Sequence, residues 1–104
     1  MQRATAQLAD RGEGRCVLSG ALTLETAPWL WQQLQTGSLL DGARTAELSD
    51  VTDADSAGLA LLVTWRASCQ AAGADLRFEN VPERLMALAR LTDAQSLLGG
   101  NAVP

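Results

Sequence analysis

Asp50, Asp53, Asp55 and Ser56 fall within one short stretch, followed by Gly58 and the apolar run Leu59-Ala60-Leu61-Leu62-Val63. Carboxylates and a hydroxyl so close together could hold a metal, cradle a phosphate, attack a carbonyl or cap a helix. The spacing of Asp53, Asp55 and Gly58 matches only part of a calcium loop, because the remaining ligand ladder and the closing glutamate are missing. A Walker-type phosphate loop needs Gly-Lys-Ser/Thr, and the chain contains no lysine. A serine nucleophile needs a base, and the chain contains no histidine. The two cysteines, Cys16 and Cys69, lie far apart among apolar neighbours and cannot make a zinc site without histidine. The residues therefore predict no enzyme, no metal and no cofactor, and they place the two thiols in a core.

Two readings of Ser56 stand side by side. A serine at the junction of a loop and a helix accepts a hydrogen bond from a backbone N–H two or three positions on, a cap worth about 1 kcal/mol. Asp53 and Asp55 would favour the positive end of the helix dipole, and Gly58 would permit close packing. The same end of a helix suits an anion. Phosphorylation of Ser56 would add roughly −1.5 to −2 charge there, beside two carboxylates that repel it. It would alter the surface rather than stabilise the core.

The elements that must position this junction can be read from periodicity and punctuation. Residues 4–9 and 16–20 form two short strands joined by a turn in which Gly12 and Gly14 supply a permissive backbone. Pro28 suits the first turn of a helix whose face is Ala27, Leu30, Trp31 and Leu34, with Gly37 as its C-cap and Trp29 pointing away. Residues 43–51 form a central strand that ends at the acidic loop. A second helix runs from Ser56 to Ala72, closed by Gly73. Residues 75–81 alternate as a half-buried strand, and 82–91 form a last helix with Leu85, Leu88, Ala89 and Leu91 on one face. The tail 99–104 is expected to fray. The order β-β-α-β-α-β-α predicts an α/β fold: one domain over residues 1–104, core about 4–98, with a small mixed sheet covered by helices.

The second helix carries a further clue. Leu59, Leu62, Trp65, Cys69 and Ala72 share one face and should cover the sheet. The opposite face carries Ala60, Thr64, Ala67 and Ala71, and Arg66 is the only charge between Ser56 and Ala72. A weakly polar face beside a capped N-terminus suits docking onto another protein, although alanine is also simply the best helix former. Trp29 is a second candidate contact, or else folds back onto the N-terminal hairpin.

Composition narrows the partners. The chain has 104 residues, 47% of them hydrophobic, and a net charge of −4. All eight basic residues are arginines, scattered through the sequence. A nucleic-acid partner needs a concentrated positive face, and so does an anionic membrane surface, so neither is expected. The polar N-terminus has no apolar signal-peptide core, and no apolar run is long enough to span a bilayer. The expected location is cytoplasmic.

The run Ala46-Glu47-Leu48-Ser49 through Asp55-Ser56-Ala57-Gly58-Leu59 resembles the signature of STAS domains, the family of sulphate transporters and anti-sigma factor antagonists. That pattern leads from an apolar strand through Asp-Leu-Ser and a short loop to Asp-Ser/Thr-x-Gly-Leu at a helix start. Asp55, Ser56, Gly58 and Leu59 match, and Glu47 stands where many members carry aspartate. Within the family, residues 56–62, Trp31 and residues 81–91 are similar to the MlaB-type subunits of bacterial phospholipid-transporting ABC systems. The resemblance implies a non-catalytic accessory subunit, peripheral to the inner membrane through its partner and not inserted in the bilayer. It would bind and stabilise the ATPase of a transporter that maintains outer-membrane lipid asymmetry. It carries the family's switch residue onto Ser56. It carries the contact surface onto Asp53, Asp55, Ser56, Ala57 and Gly58 and onto Ala60, Leu61 and Thr64 of the helix. The alternative within the same family is an anti-sigma factor antagonist whose docking is controlled by a serine kinase acting on Ser56.

Overall fold

A computed structural model describes residues 5–36 and 43–92. The expected order of elements is present: β1 (Ala6–Gly12), β2 (Arg15–Leu22), α1 (Ala27–Thr36), β3 (Thr45–Ala54), α2 (Ser56–Ala71), β4 (Arg77–Glu79) and α3 (Glu83–Leu91). The strands form one mixed sheet in the order β1-β2-β3-β4. β1 and β2 pair antiparallel, while β2, β3 and β4 run parallel, so a helix carries the chain across each parallel step. The hairpin turn passes through three successive positive-φ residues, Gly12, Glu13 and Gly14, as the two glycines predicted.

Cys16, Ala46 and Phe78 stand in register across β2, β3 and β4 and face the helices. Leu18, Leu22, Leu48 and Ala54 extend the same buried layer. The helices close it with Leu30 and Leu34 of α1, Leu59, Leu61, Leu62, Trp65 and Cys69 of α2, and Leu85 and Ala89 of α3. One core on one face of the sheet takes all three helices. The opposite face shows the alternate residues, including the exposed Arg15, Arg77 and Glu79 and the half-buried Thr45 and Glu47. This alternation is the period-2 pattern of a sheet with one wet side. Trp65 is wholly buried and meets Phe78 with ring centroids 5.9 Å apart at 59°, a tilted aromatic contact.

Strand ends follow pairing rather than propensity. β1 lies further along than expected, because its partners in β2 hold it as far as the hairpin. β3 runs past residue 51, because Ala21 and Leu22 of β2 pair with Asp53 and Ala54. β4 is shorter than expected and pairs only with residues 45–47 at the sheet edge. Leu91, expected on the inner face of α3, is 83% exposed at the last turn, and Ala72, expected beneath α2, is exposed just past that helix's end. The C-cap at Gly37 and the tail lie outside the described residues.

Candidate functional site

The junction of β3 and α2 is the centre of the site, and the structure reassigns its parts. Asp53 is a strand residue, because the parallel ladder with β2 continues through it. Asp55, not Ser56, is the N-cap of α2. Its backbone is extended, and its Oδ1 accepts from the N–H of Ala57 at 2.9 Å and of Gly58 at 3.1 Å. Aspartate is as good a cap as serine, and here it stands one residue earlier, where the chain has not yet turned helical. Ser56 is thereby freed from capping and lies exposed in the first turn.

The other carboxylate oxygen of Asp55 reaches sideways. Oδ2 accepts from the N–H of Leu24 at 3.1 Å, tying the β2–α1 loop to the helix start. Partial desolvation pushes the Asp55 carboxyl up. The hydrogen bonds from Leu24, Gly58 and Ala57, helped by the charge of Arg84, outweigh it and leave the group below its usual range. Arg84 of α3 clamps the neighbouring strand end, donating from Nε to the Ala54 carbonyl at 2.7 Å and lying 3.6 Å from Asp53 Oδ1. Glu47, the departure from the usual aspartate, ties β3 to the end of β4. Its Oε2 accepts from the Ser49 N–H at 3.1 Å and from Asn80 Nδ2 at 2.7 Å. Hydrogen bonds from Ser49 and then Asn80 hold its carboxyl below the ordinary range.

The expected contact residues divide in two. Asp53, Ser56, Ala60 and Thr64 are exposed, and Ala67 and Ala71 continue them down one side of α2. Asp55 and Ala57 are half-buried. Gly58 and Leu61, by contrast, face inward. Gly58 packs on the Leu22 carbonyl, and Leu61, only 6% exposed, joins the core cluster. The buried face of α2 is wider than one helical stripe because the helix touches α1 and α3 as well as the sheet. Trp29 is 45% exposed on α1.

One residue of this surface escaped the sequence reading. Leu24, in the loop beside Asp55, is 72% exposed. Its only signal in the sequence is an apolar residue between Thr23 and Glu25, which does not distinguish it from core.

The arginines are less scattered in space than in sequence. Arg11, Arg15, Arg44 and Arg77 gather at the hairpin end of the sheet, linked by Arg44 N–H to Gly14 O and Arg77 N–H to Arg44 O. Arg44 and Arg77 line an open cleft of about 590 Å³ beneath the C-terminus of α2. Asp10, Glu13, Asp75 and Glu79 interleave with them, and Arg15 lies 3.9 Å from Glu79. The positive charge there is therefore opposed. Among the described residues no group of three or more acidic or cysteine side chains is placed to hold a metal ion, and no helix is long and apolar enough to cross a membrane. Cys16 and Cys69 are both buried and unbridged, and burial pushes the Cys16 thiol up to about 12.

A helix-capped strand end, open to solvent on a four-stranded mixed sheet with one helical layer, defines a STAS-type α/β domain. The chain belongs to the MlaB-type STAS-domain family, whose model matches residues 6–99. STAS domains mediate protein–protein interactions, in regulatory and accessory roles. The fold is shared with the unphosphorylated anti-sigma factor antagonist SpoIIAA, at a TM-score of 0.70 and 13% identity over 90% of this chain and 85% of that one. It is shared also with the phosphorylated form of SpoIIAA, the Bacillus cell fate determinant, at 0.64 and 13% over 90% and 88%. A part of Mglu is also similar, at 0.53 and 26% identity, covering 75% of this chain and 20% of that one. No curated relative matches the chain by sequence.

Proposed function

We propose that this protein is a non-catalytic accessory subunit that binds and stabilises the ATPase of an ABC transporter for phospholipid, one that maintains outer-membrane lipid asymmetry. The observation that carries this reading is the exposed stripe Ser56, Ala60, Thr64, Ala67 and Ala71, uncharged along the length of α2 in a chain of the MlaB-type family. A helix that met only water would ordinarily display more charge. Docking through it holds the ATPase in its assembled form by mass action, since only the folded partner is bound. The protein sits beside the inner membrane through that partner and takes no part in the chemistry.

A second reading has its own support. Ser56 is exposed in the first turn of α2, and SpoIIAA, which shares the fold, occurs phosphorylated and unphosphorylated. In an anti-sigma factor antagonist a serine kinase would modify Ser56, and the added charge beside Asp53 and Asp55 would disrupt docking. Affinity capture of the native protein with intact-mass analysis separates the two. Recovery of an ABC ATPase with unmodified Ser56 supports the transporter subunit. Recovery of a serine kinase with phosphorylated Ser56 supports the switch.

A further inference from the structure

Leu24 is the exposed large hydrophobic residue nearest the cap of α2, and hydrogen bonds hold its backbone there. Its own N–H donates to Asp55 Oδ2. On one side, the Thr23 N–H donates to Thr26 Oγ1 at 3.0 Å. On the other, the N–H groups of Thr26 and Ala27 donate to the Thr23 carbonyl at 3.0 and 2.8 Å. The buried Thr26 hydroxyl donates to the Ala21 carbonyl at 2.6 Å and anchors the turn to β2. A leucine that fills no place in the core is thus fixed on a turn braced from three directions.

We propose that Leu24 is the apolar anchor by which the docking face grips its partner, and that Asp55 sets its position. This inference rests on the accessory-subunit reading, with the ATPase subunit as the partner that receives Leu24. The fit is of two kinds. Pre-ordering of the backbone removes much of the entropy that a loop loses on binding, so an aliphatic side chain presented on it enters a pocket at lower cost. The surroundings of the leucine are acidic on balance, with Glu25 next to it and Asp53 and Asp55 across the junction against the single Arg84, which lies 3.6 Å from Asp53. The complementary surface is therefore an apolar socket with arginine or lysine at its rim. Asp55 serves two ends at once: one oxygen starts the helix that carries Ser56, Ala60 and Thr64, and the other fixes Leu24 against that start. Cap, stripe and anchor are joined through this one residue.

The test is the affinity of the full chain for a purified phospholipid-transporter ABC ATPase subunit from the same organism, measured with Leu24→Ser, Asp55→Asn, Thr64→Arg and, as a distant exposed leucine, Leu91→Ser. Leu24→Ser is expected to fold as wild type and bind about tenfold or more weakly, the loss of an interface anchor. Asparagine still caps a helix, but its amide nitrogen cannot accept from the Leu24 N–H. Asp55→Asn should therefore also weaken binding while circular dichroism stays native. Leu91→Ser should bind as wild type, and raising the salt concentration should slow association. If Thr64→Arg abolishes binding while Leu24→Ser binds normally, the anchor is refuted and the docking face survives. If neither substitution matters, or the wild-type chain does not bind the ATPase, both readings fall. Association indifferent to salt would overturn the basic rim.

Discussion

Gly58 of α2 rests directly on the backbone of Leu22 at the end of β2. A Cβ built at position 58 collides with the Leu22 carbonyl oxygen and comes within 2.7 Å of its carbonyl carbon and 2.8 Å of its Cβ. The same carbonyl accepts from the Asp55 N–H at 3.0 Å. The start of the helix is therefore seated on the strand at van der Waals distance, with one hydrogen bond holding it there. Gly58→Ala is expected to destabilise the fold by about 3 kcal/mol or more, the upper end of the overpacking range, because the obstacle is backbone and cannot swing aside. Thermal denaturation measures it, and a wild-type melting temperature would show that the helix is free to lift.

Asp55 makes stability depend on acid. Its folded carboxyl lies below the ordinary value of 3.8, so the unfolded chain binds the proton first as the pH falls. The stabilisation is complete well above that value and is lost as the pH drops through the lower, folded one. Asp55→Asn removes this titration and the bond from Leu24. At neutral pH it should cost about 1.5 kcal/mol, the low end for a hydrogen bond to a charged group because this one is exposed to water. The gap between the two proteins should close as the pH falls below 3.8. Urea titrations across that range check it, and a gap independent of pH would contradict the bonding described.

Ser56 and Thr64 separate surface from scaffold. Because the cap belongs to Asp55, Ser56→Ala should change stability by less than about 0.5 kcal/mol, as should the exposed Thr64→Arg. Thr64→Arg and the charge mimic Ser56→Asp should both weaken partner binding. A Thr64→Arg protein that unfolds in thermal melts would place that residue inside the fold. A Ser56→Asp protein that binds normally would count against Ser56 as a contact in both functional readings.

Cys16 and Cys69 should be inert in the native protein. Both are buried, and a thiol pushed up to about 12 has almost no thiolate at neutral pH. Alkylation followed by mass spectrometry should therefore proceed only as fast as the fold opens, and should become rapid in denaturant. Fast labelling under native conditions would mean that the β2–α2 interface breathes.

The helices were legible in the sequence because each carries its own period. Leu30 with Leu34, Leu59 with Leu62, Trp65 and Cys69, and Leu85 with Ala89 all fell on the faces that are buried. The exposed run Ala60, Thr64, Ala67 and Ala71 was equally visible, since an α-helix has only one way to place residues three and four apart. Strand ends were not legible. Asp53 looks like a loop residue by composition, and only the continuation of β2 through Ala21 and Leu22 makes it strand.

The site was read in part, for the same reason. The residue types at the junction announced a capped helix start, but they pointed to Ser56 as the cap, and the structure gives that place to Asp55. The choice depends on where the chain leaves the extended conformation, and pairing with β2 through Leu22 and Ala54 decides that. Leu61 was placed on the contact surface by the family resemblance; flanking helices on both sides of α2 widen its buried face and take that residue in.

By itself, the sequence determined the order of the elements, the core faces of the helices, the want of a histidine base or a lysine phosphate loop, and the presence of an acid-and-hydroxyl helix start. These are local properties, set by neighbours within a turn or two of chain. Only the tertiary structure decided that Asp55 is the cap, that Gly58 and Leu61 are inside, and that Leu24, 31 residues from Asp55, stands beside it on the surface. Those facts depend on which strands pair and in what register, and register is settled by the packing of the whole sheet against its helices.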